Sequence, residues 1–146
     1  MTNSSDDLDL LYVEDNEDFI DFVGIALKKV DREINYQFVS DGAKAKELID
    51  DENTHNPVKK AKLILLDYNL PGLNGIQLLK HIRSYEQMKH TPVVIFSSSD
   101  NPQDIKNAYA HGANAYLVKP LGMTNLKDTI QSVCDFWIHK NQRCVS

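Results

Sequence analysis

The chain has 146 residues, of which 42% are hydrophobic and 25% charged, with a formal net charge of −5. That length fits one domain, 1–146, with a core at about 8–139 and polar termini, and the acidic balance without any Lys/Arg cluster excludes direct nucleic-acid binding. The opening "MTNSSDDLDL" lacks the basic start and apolar run of a secretory signal, and no run approaches the ~18 apolar residues of a membrane helix.

The first apolar run, "LDLLYV" at 8–13, reads as a buried strand and ends on Glu14 and Asp15. Phe19, Phe22, Val23, Ala26, Leu27 and Val30 then recur at helical spacing, with Asn16 or Asp15 available as the cap. "INYQFV" at 34–39 is the second strand, and Ala43, Ala45, Leu48 and Ile49 mark a short helix capped by Ser40 or Asp41. The polar stretch "DDENTHNPVKKA" is expected to be mobile surface. "KLILLD" at 62–67 is nearly continuous in apolar residues, the pattern of a strand buried on both faces, and it finishes on Asp67. A third helix, carrying Ile76, Leu78, Leu79 and Ile82, follows Asn74-Gly75. "PVVIFS" at 92–97 is the fourth strand. Pro102 suits the first turn of a helix capped by Asp100 or Asn101 and ended by Gly112. "NAYLVK" at 114–119 is the fifth strand, and Leu126, Ile130, Val133 and Trp137 define the last helix. The tail beyond Ile138 is polar and expected to fray.

Strand and helix alternate five times, which specifies an α/β fold with a parallel sheet covered on both faces. Ligands of such sheets bind outside the carboxyl ends of the strands. The strand ends here deliver Glu14 and Asp15, Asp67, Ser97 and Lys119. Carboxylates crowded at one edge repel one another, and Mg2+, a hard cation that favours one or two carboxylates beside a phosphate, relieves that conflict. With Lys119 as a positive charge and Ser97 as a hydroxyl donor, the set suits an arriving phosphoryl group, and Asp67 is its natural nucleophile. Taken singly, Asp15 is better read as a helix cap, Asp67 as a turn residue before "NLPG", Ser97 as a loop residue and Lys119-Pro120 as a solvated turn. Their joint placement at one edge favours the chemical reading. Cys134 and Cys144 have no metal-ligand spacing and are read as reduced thiols of a cytoplasmic protein.

The motifs "LLYVEDNEDF", "LILLDYNLPGLNG", "TPVVIFSSSD" and "GANAYLVKP", in this order, resemble the receiver domains of two-component response regulators over 8–139. The resemblance implies a flavodoxin-like doubly wound sheet of order 2-1-3-4-5. It implies that Asp67 accepts a phosphoryl group from a sensor histidine kinase or histidine phosphotransfer protein. It also implies that Mg2+ is held by Glu14, Asp15, Asp67 and the backbone carbonyl of Asn69, that Lys119 and Ser97 contact the phosphoryl oxygens, and that Ser97 and Tyr116 form the switch. Asn69 and Ser99 match rate-tuning positions, and the peptide bond between Lys119 and Pro120 matches one usually cis in this family. Glu14 and Ser97 stand where aspartate and threonine are commoner. The long loop before the third strand and the ending "DFWIHK" resemble small stand-alone regulators that partner bacteriophytochromes.

With no effector domain expected, output falls to the face of helix four, strand five and helix five, by partner binding, homodimerisation or phosphorelay. Such a protein catalyses only its own phosphorylation and dephosphorylation. Two alternatives are an aspartyl-nucleophile phosphatase, disfavoured because Asn69 stands where such enzymes carry a second acid, and a degenerate receiver acting as a constitutive binding module, disfavoured because no acidic or lysine position is lost.

Overall fold

The computed structural model describes residues 7–144; the polar termini expected from the sequence lie in part outside these. Thirteen elements follow in order. They are β1 (Leu10–Val13), α1 (Glu17–Lys28), β2 (Tyr36–Val39), α2 (Gly42–Asp50), a 3-10 turn (Pro57–Lys60), β3 (Leu63–Leu66), α3 (Gly75–Ser84), a second 3-10 turn (Glu86–Met88), β4 (Val93–Ser97), α4 (Pro102–Ala110), β5 (Ala115–Val118), α5 (Met123–Val133) and a π-helical extension (Cys134–Lys140). The strands form one sheet of order β2-β1-β3-β4-β5, parallel throughout, the flavodoxin-like arrangement.

The sheet divides the core by side-chain parity. Leu11, Val13, Ile64, Leu66, Val93 and Ile95 point to one face, against Ala45 and Ile49 of α2, Leu78, Leu79 and Ile82 of α3, and Ala108 of α4. Leu10, Tyr12, Leu63, Leu65, Val94 and Phe96 point to the other, against Val23 and Leu27 of α1 and Leu126, Ile130 and Val133 of α5. Burial on both faces is why β1, β3 and β4 read as continuous apolar runs.

The starts of α1 to α4 are fixed by side-chain caps, whereas α5 follows Gly122 without one. Asn16 accepts from the Phe19 amide, Asp41 from Lys44 and Asn101 from Gln103. Asn74 and Gln77 exchange hydrogen bonds as a capping box at the start of α3. At the amino end of β4 and β5 the Arg83 guanidinium donates to the carbonyls of Gly112, Met88 and Thr91 and to Asn114 Oδ1, and that same oxygen accepts the Val93 amide. One side chain at the end of α3 thus ties together the entries to two strands.

Two segments differ from the sequence expectation. The polar stretch before β3 is exposed over 51–55, as expected, but is anchored at Asn56 and Val58. Asn56 donates to the carbonyls of Leu48 and Asp51 and accepts from the Val58 amide, and Val58 is buried in the core. A buried aliphatic residue and a three-bonded asparagine pin a segment that composition alone marks as solvated. The last helix becomes π-helical from Cys134 to Lys140, which the spacing does not predict, and so carries Trp137 against the α1/α5 core; 141–144 beyond it form no regular element. Among the described residues no helix is long and apolar enough to cross a membrane.

Candidate functional site

Of the residues singled out at the strand ends, Ser97 is the last residue of β4, and Glu14, Asp67 and Lys119 stand just beyond their strands but still on the backbone ladder. The Glu14 amide donates to Val39 O, that of Asp67 to Val13 O, and that of Lys119 to Ser97 O at 2.7 Å. Glu14, Asp67 and Lys119 continue the parity of the α1/α5 face, whereas Ser97 and Tyr116 belong to the opposite set. The carboxylates and the ammonium therefore converge as one group, with the hydroxyl and the phenol approaching from the other side.

Asp67 is 5% exposed and Glu14 is fully buried, while Asp15 is exposed. Lys119 Nζ lies 2.6 Å from Glu14 Oε1 and 3.6 Å from Asp67 Oδ2, and sits over the Phe19 ring at 4.4 Å from its centroid. Tyr12 donates its hydroxyl to Glu14 Oε1 at 2.9 Å, and the Asn16 amide donates to Glu14 Oε2. Burial, and then the neighbouring Glu14 charge, push the Asp67 carboxyl up to about 7, against the opposing pull of Lys119 and the Asn69 amide. Burial and the Glu14 charge hold the Tyr12 phenol far above its usual range, so it remains a donor.

The loop after Asp67 is set by Asn69, whose amide donates to Asp67 Oδ1, and by a close approach at Gly75. A Cβ at Gly75 would meet the Asp67 carbonyl oxygen at 2.3 Å, so only glycine lets α3 start against the backbone of the nucleophile. Ser97 is fully buried and its Oγ accepts from the Ser99 amide. Ser99 passes its own hydroxyl to Asp104 Oδ2 at 2.6 Å and offers its carbonyl to the Tyr116 hydroxyl at 2.9 Å. The Tyr116 ring is half-buried and faces Tyr68, whose hydroxyl accepts from Asn107.

Glu14, Asp15 and Asp67 each offer a carboxylate oxygen within 4.8 Å of the others. An all-oxygen set with a carboxyl that burial drives toward protonation fits Mg2+, which favours hard oxygen ligands and supplies the missing positive charge.

The structure corrects the expectation of a cis peptide bond between Lys119 and Pro120: among the described residues no peptide bond is cis. A trans bond is the ordinary state of an X–Pro linkage, and here it already delivers the Lys119 ammonium to both carboxylates.

Sequence reasoning missed Tyr12, Phe19 and Asp104. Tyr12 carried a legible signal, since a phenol in an otherwise aliphatic buried strand must find a partner for its hydroxyl. Phe19 was read only as an apolar position of α1, and nothing local marks Asp104 as the partner of Ser99.

Residues 10–131 match the family model described as the response regulator receiver domain. Response regulator Rcp1 of Synechocystis sp. is 29% identical over 129 residues, which cover 88% of each chain. The probable methanogenesis regulatory protein FilR2 of Methanothrix harundinacea is 33% identical over 81 residues, 56% of this chain and 52% of that protein. Chemotaxis protein CheY-3 of Vibrio cholerae is 37% identical over 70 residues, 48% of this chain and 54% of that one. The chain thus spans about half the length of these last two relatives. Among solved structures, the phosphorylated cyanobacterial phytochrome response regulator RcpA superposes with a TM-score of 0.84 at 29% identity, covering 94% of this chain and 98% of that one. The Mn2+-bound form of Rcp1 gives 0.81 at 27% identity, covering 93% and 98%.

Proposed function

This chain belongs to the response regulator receiver domain family, and from that membership we propose that it is a signalling switch in which Asp67 accepts a phosphoryl group from a phosphohistidine. The observation that carries the reading is the convergence of Glu14, Asp15, Asp67 and Lys119 at one sheet edge, with three carboxylate oxygens within 4.8 Å of one another. In the transfer, an Asp67 carboxylate oxygen attacks phosphorus, an O–P bond forms, and the P–N bond to the donor imidazole breaks with its electron pair returning to nitrogen. Mg2+, when bound, neutralises the acidic cluster and withdraws charge from the phosphoryl oxygens. Lys119 is the one ammonium within reach of Asp67 among the described residues, and it compensates charge that grows from about one to about two negative units on phosphorylation.

Ser97 and Tyr116 carry the change outward. The Ser97 hydroxyl turns to a phosphoryl oxygen, which alters its bond from the Ser99 amide. Ser99 is in turn tied to Tyr116 and, through Asp104, to α4. The α4–β5–α5 face is then the output surface. β5 is a sheet edge, and Val118 and Phe136 are exposed on this side, which suits a partner or a second copy of the chain. The family resemblance and the likeness to the phytochrome response regulator RcpA favour a histidine kinase of the phytochrome class as donor. We propose one receiver domain over 1–146, with Asn69 and Ser99 tuning the lifetime of the phosphoaspartate.

The test is incubation with Mg2+ and acetyl phosphate, followed by intact-mass measurement. One phosphoryl group is expected on the parent and none on Asp67→Asn. Absence of any Mg2+-dependent gain in mass on the parent would sink the reading.

A further inference from the structure

β1 is aliphatic except for Tyr12, whose ring is fully buried, edge-on to Phe38 with centroids 5.7 Å apart and tilted against Phe96. A phenylalanine would fill the same space, so packing does not account for the hydroxyl. That hydroxyl donates to Glu14 Oε1, the same oxygen that receives the Lys119 ammonium. The lysine therefore stands closer to Glu14, at 2.6 Å, than to Asp67, at 3.6 Å. To meet a phosphoryl group on Asp67 the ammonium must leave Glu14, whose side chain is 1% exposed. Even with Mg2+ on the acidic cluster, a buried carboxylate oxygen that loses its ammonium partner is costly unless it keeps another hydrogen bond.

We propose that Tyr12 is a positioning residue: its hydroxyl holds Glu14 Oε1 and keeps that oxygen hydrogen-bonded while Lys119 moves its ammonium from Glu14 to the phosphoryl oxygens on Asp67. This rests on the reading of Asp67 as phosphoacceptor. The Asn16 amide donates to Oε2, so among the described residues Tyr12 is the donor that stays on Oε1 when the lysine departs. Removing the hydroxyl leaves Lys119 as the counterpart of Oε1, strengthens its hold there and disfavours the phosphorylated arrangement.

The experiment compares the parent with Tyr12→Phe in two NMR titrations, Mg2+ alone and beryllium fluoride in saturating Mg2+. The variant is expected to bind beryllium fluoride about tenfold more weakly, the scale of one hydrogen bond to a charged group, with Mg2+ affinity changed less than about twofold. In a Glu14→Gln background, where no ion pair restrains Lys119, the same substitution is expected to have no further effect. In the parent itself, the Tyr12 hydroxyl proton signal is expected to persist and move downfield when beryllium fluoride binds. Equal beryllium fluoride affinity, a parallel loss of Mg2+ affinity, or disappearance of the hydroxyl signal on binding would each overturn the proposal. The last measurement needs no variant to fold. A parent that binds no beryllium fluoride would instead overturn the phosphoacceptor reading.

Discussion

The two ends of the sheet treat charge in opposite ways. At the amino end, Arg83 is one cation among carbonyl and amide oxygens, and its donors meet Gly112, Met88, Thr91 and Asn114. At the carboxyl end, three carboxylates cluster around one ammonium that reaches two of them, Glu14 and Asp67, and the Asp67 carboxyl is driven up to about 7. The first arrangement is complete within the chain and needs nothing added. The second has an excess of negative charge that the chain does not neutralise. Incompleteness of that kind separates a site from a structural network, even though both are built from charged side chains at strand ends.

The contrast predicts that changes at the two ends have different consequences. Arg83→Ala strands several carbonyls at once and is expected to lower stability by about 3 kcal/mol. The urea midpoint should fall, while phosphorylation from acetyl phosphate by the remaining folded protein is unchanged. A large loss of phosphorylation in that folded fraction would break the comparison.

Gly75→Ala acts at the other end. Its Cβ must displace the Asp67 carbonyl or the start of α3, at a cost of about 2 kcal/mol. Unlike Arg83→Ala it is expected to slow phosphorylation as well, because the displaced backbone carries the nucleophile. Rates from acetyl phosphate, measured beside the urea midpoint, separate the two variants.

A pH-dependent effect follows from the raised carboxyl. Asp67 binds a proton in the folded state at pH values where the unfolded chain has lost it. Its contribution to stability is therefore present below about pH 4 and is lost as pH rises through about 7. In metal-free protein, the difference in urea midpoint between Asp67→Asn and the parent should grow in favour of the variant over this range. Mg2+ should shrink that difference. A difference that is flat with pH would contradict the electrostatic account. The smallest expected change is Asn74→Ala, about 1 kcal/mol from loss of the capping box, with near-normal phosphorylation.

Much of this was legible because it rests on periodicity. Apolar runs placed the strands, and their ends brought Glu14, Asp15, Asp67, Ser97 and Lys119 to one edge. What was not legible depends on partners distant in sequence. Arg83 reads as an ordinary last-turn basic residue of α3, and nothing near it announces Gly112 or Asn114. The preference of Lys119 for Glu14, at 2.6 Å, over Asp67, at 3.6 Å, depends on side-chain reach that residue identity does not encode. Composition also does not disclose the anchor of the segment before β3, where Asn56 donates to the carbonyls of Leu48 and Asp51.

The parity of the strands places a counting constraint on the gene. Four residues, Leu63 to Leu66, separate the start of β3 from Asp67, paired in step with Leu10 to Val13 before Glu14. A single-codon deletion or insertion within either strand would rotate its carboxylate to the opposite face of the sheet and exchange every core contact with it. The connections carry no such phase, and an extra residue near Asn53 leaves β3 in step. Length variation in this protein is therefore expected to collect in the connections, with the two short strands acting as its reading frame in three dimensions.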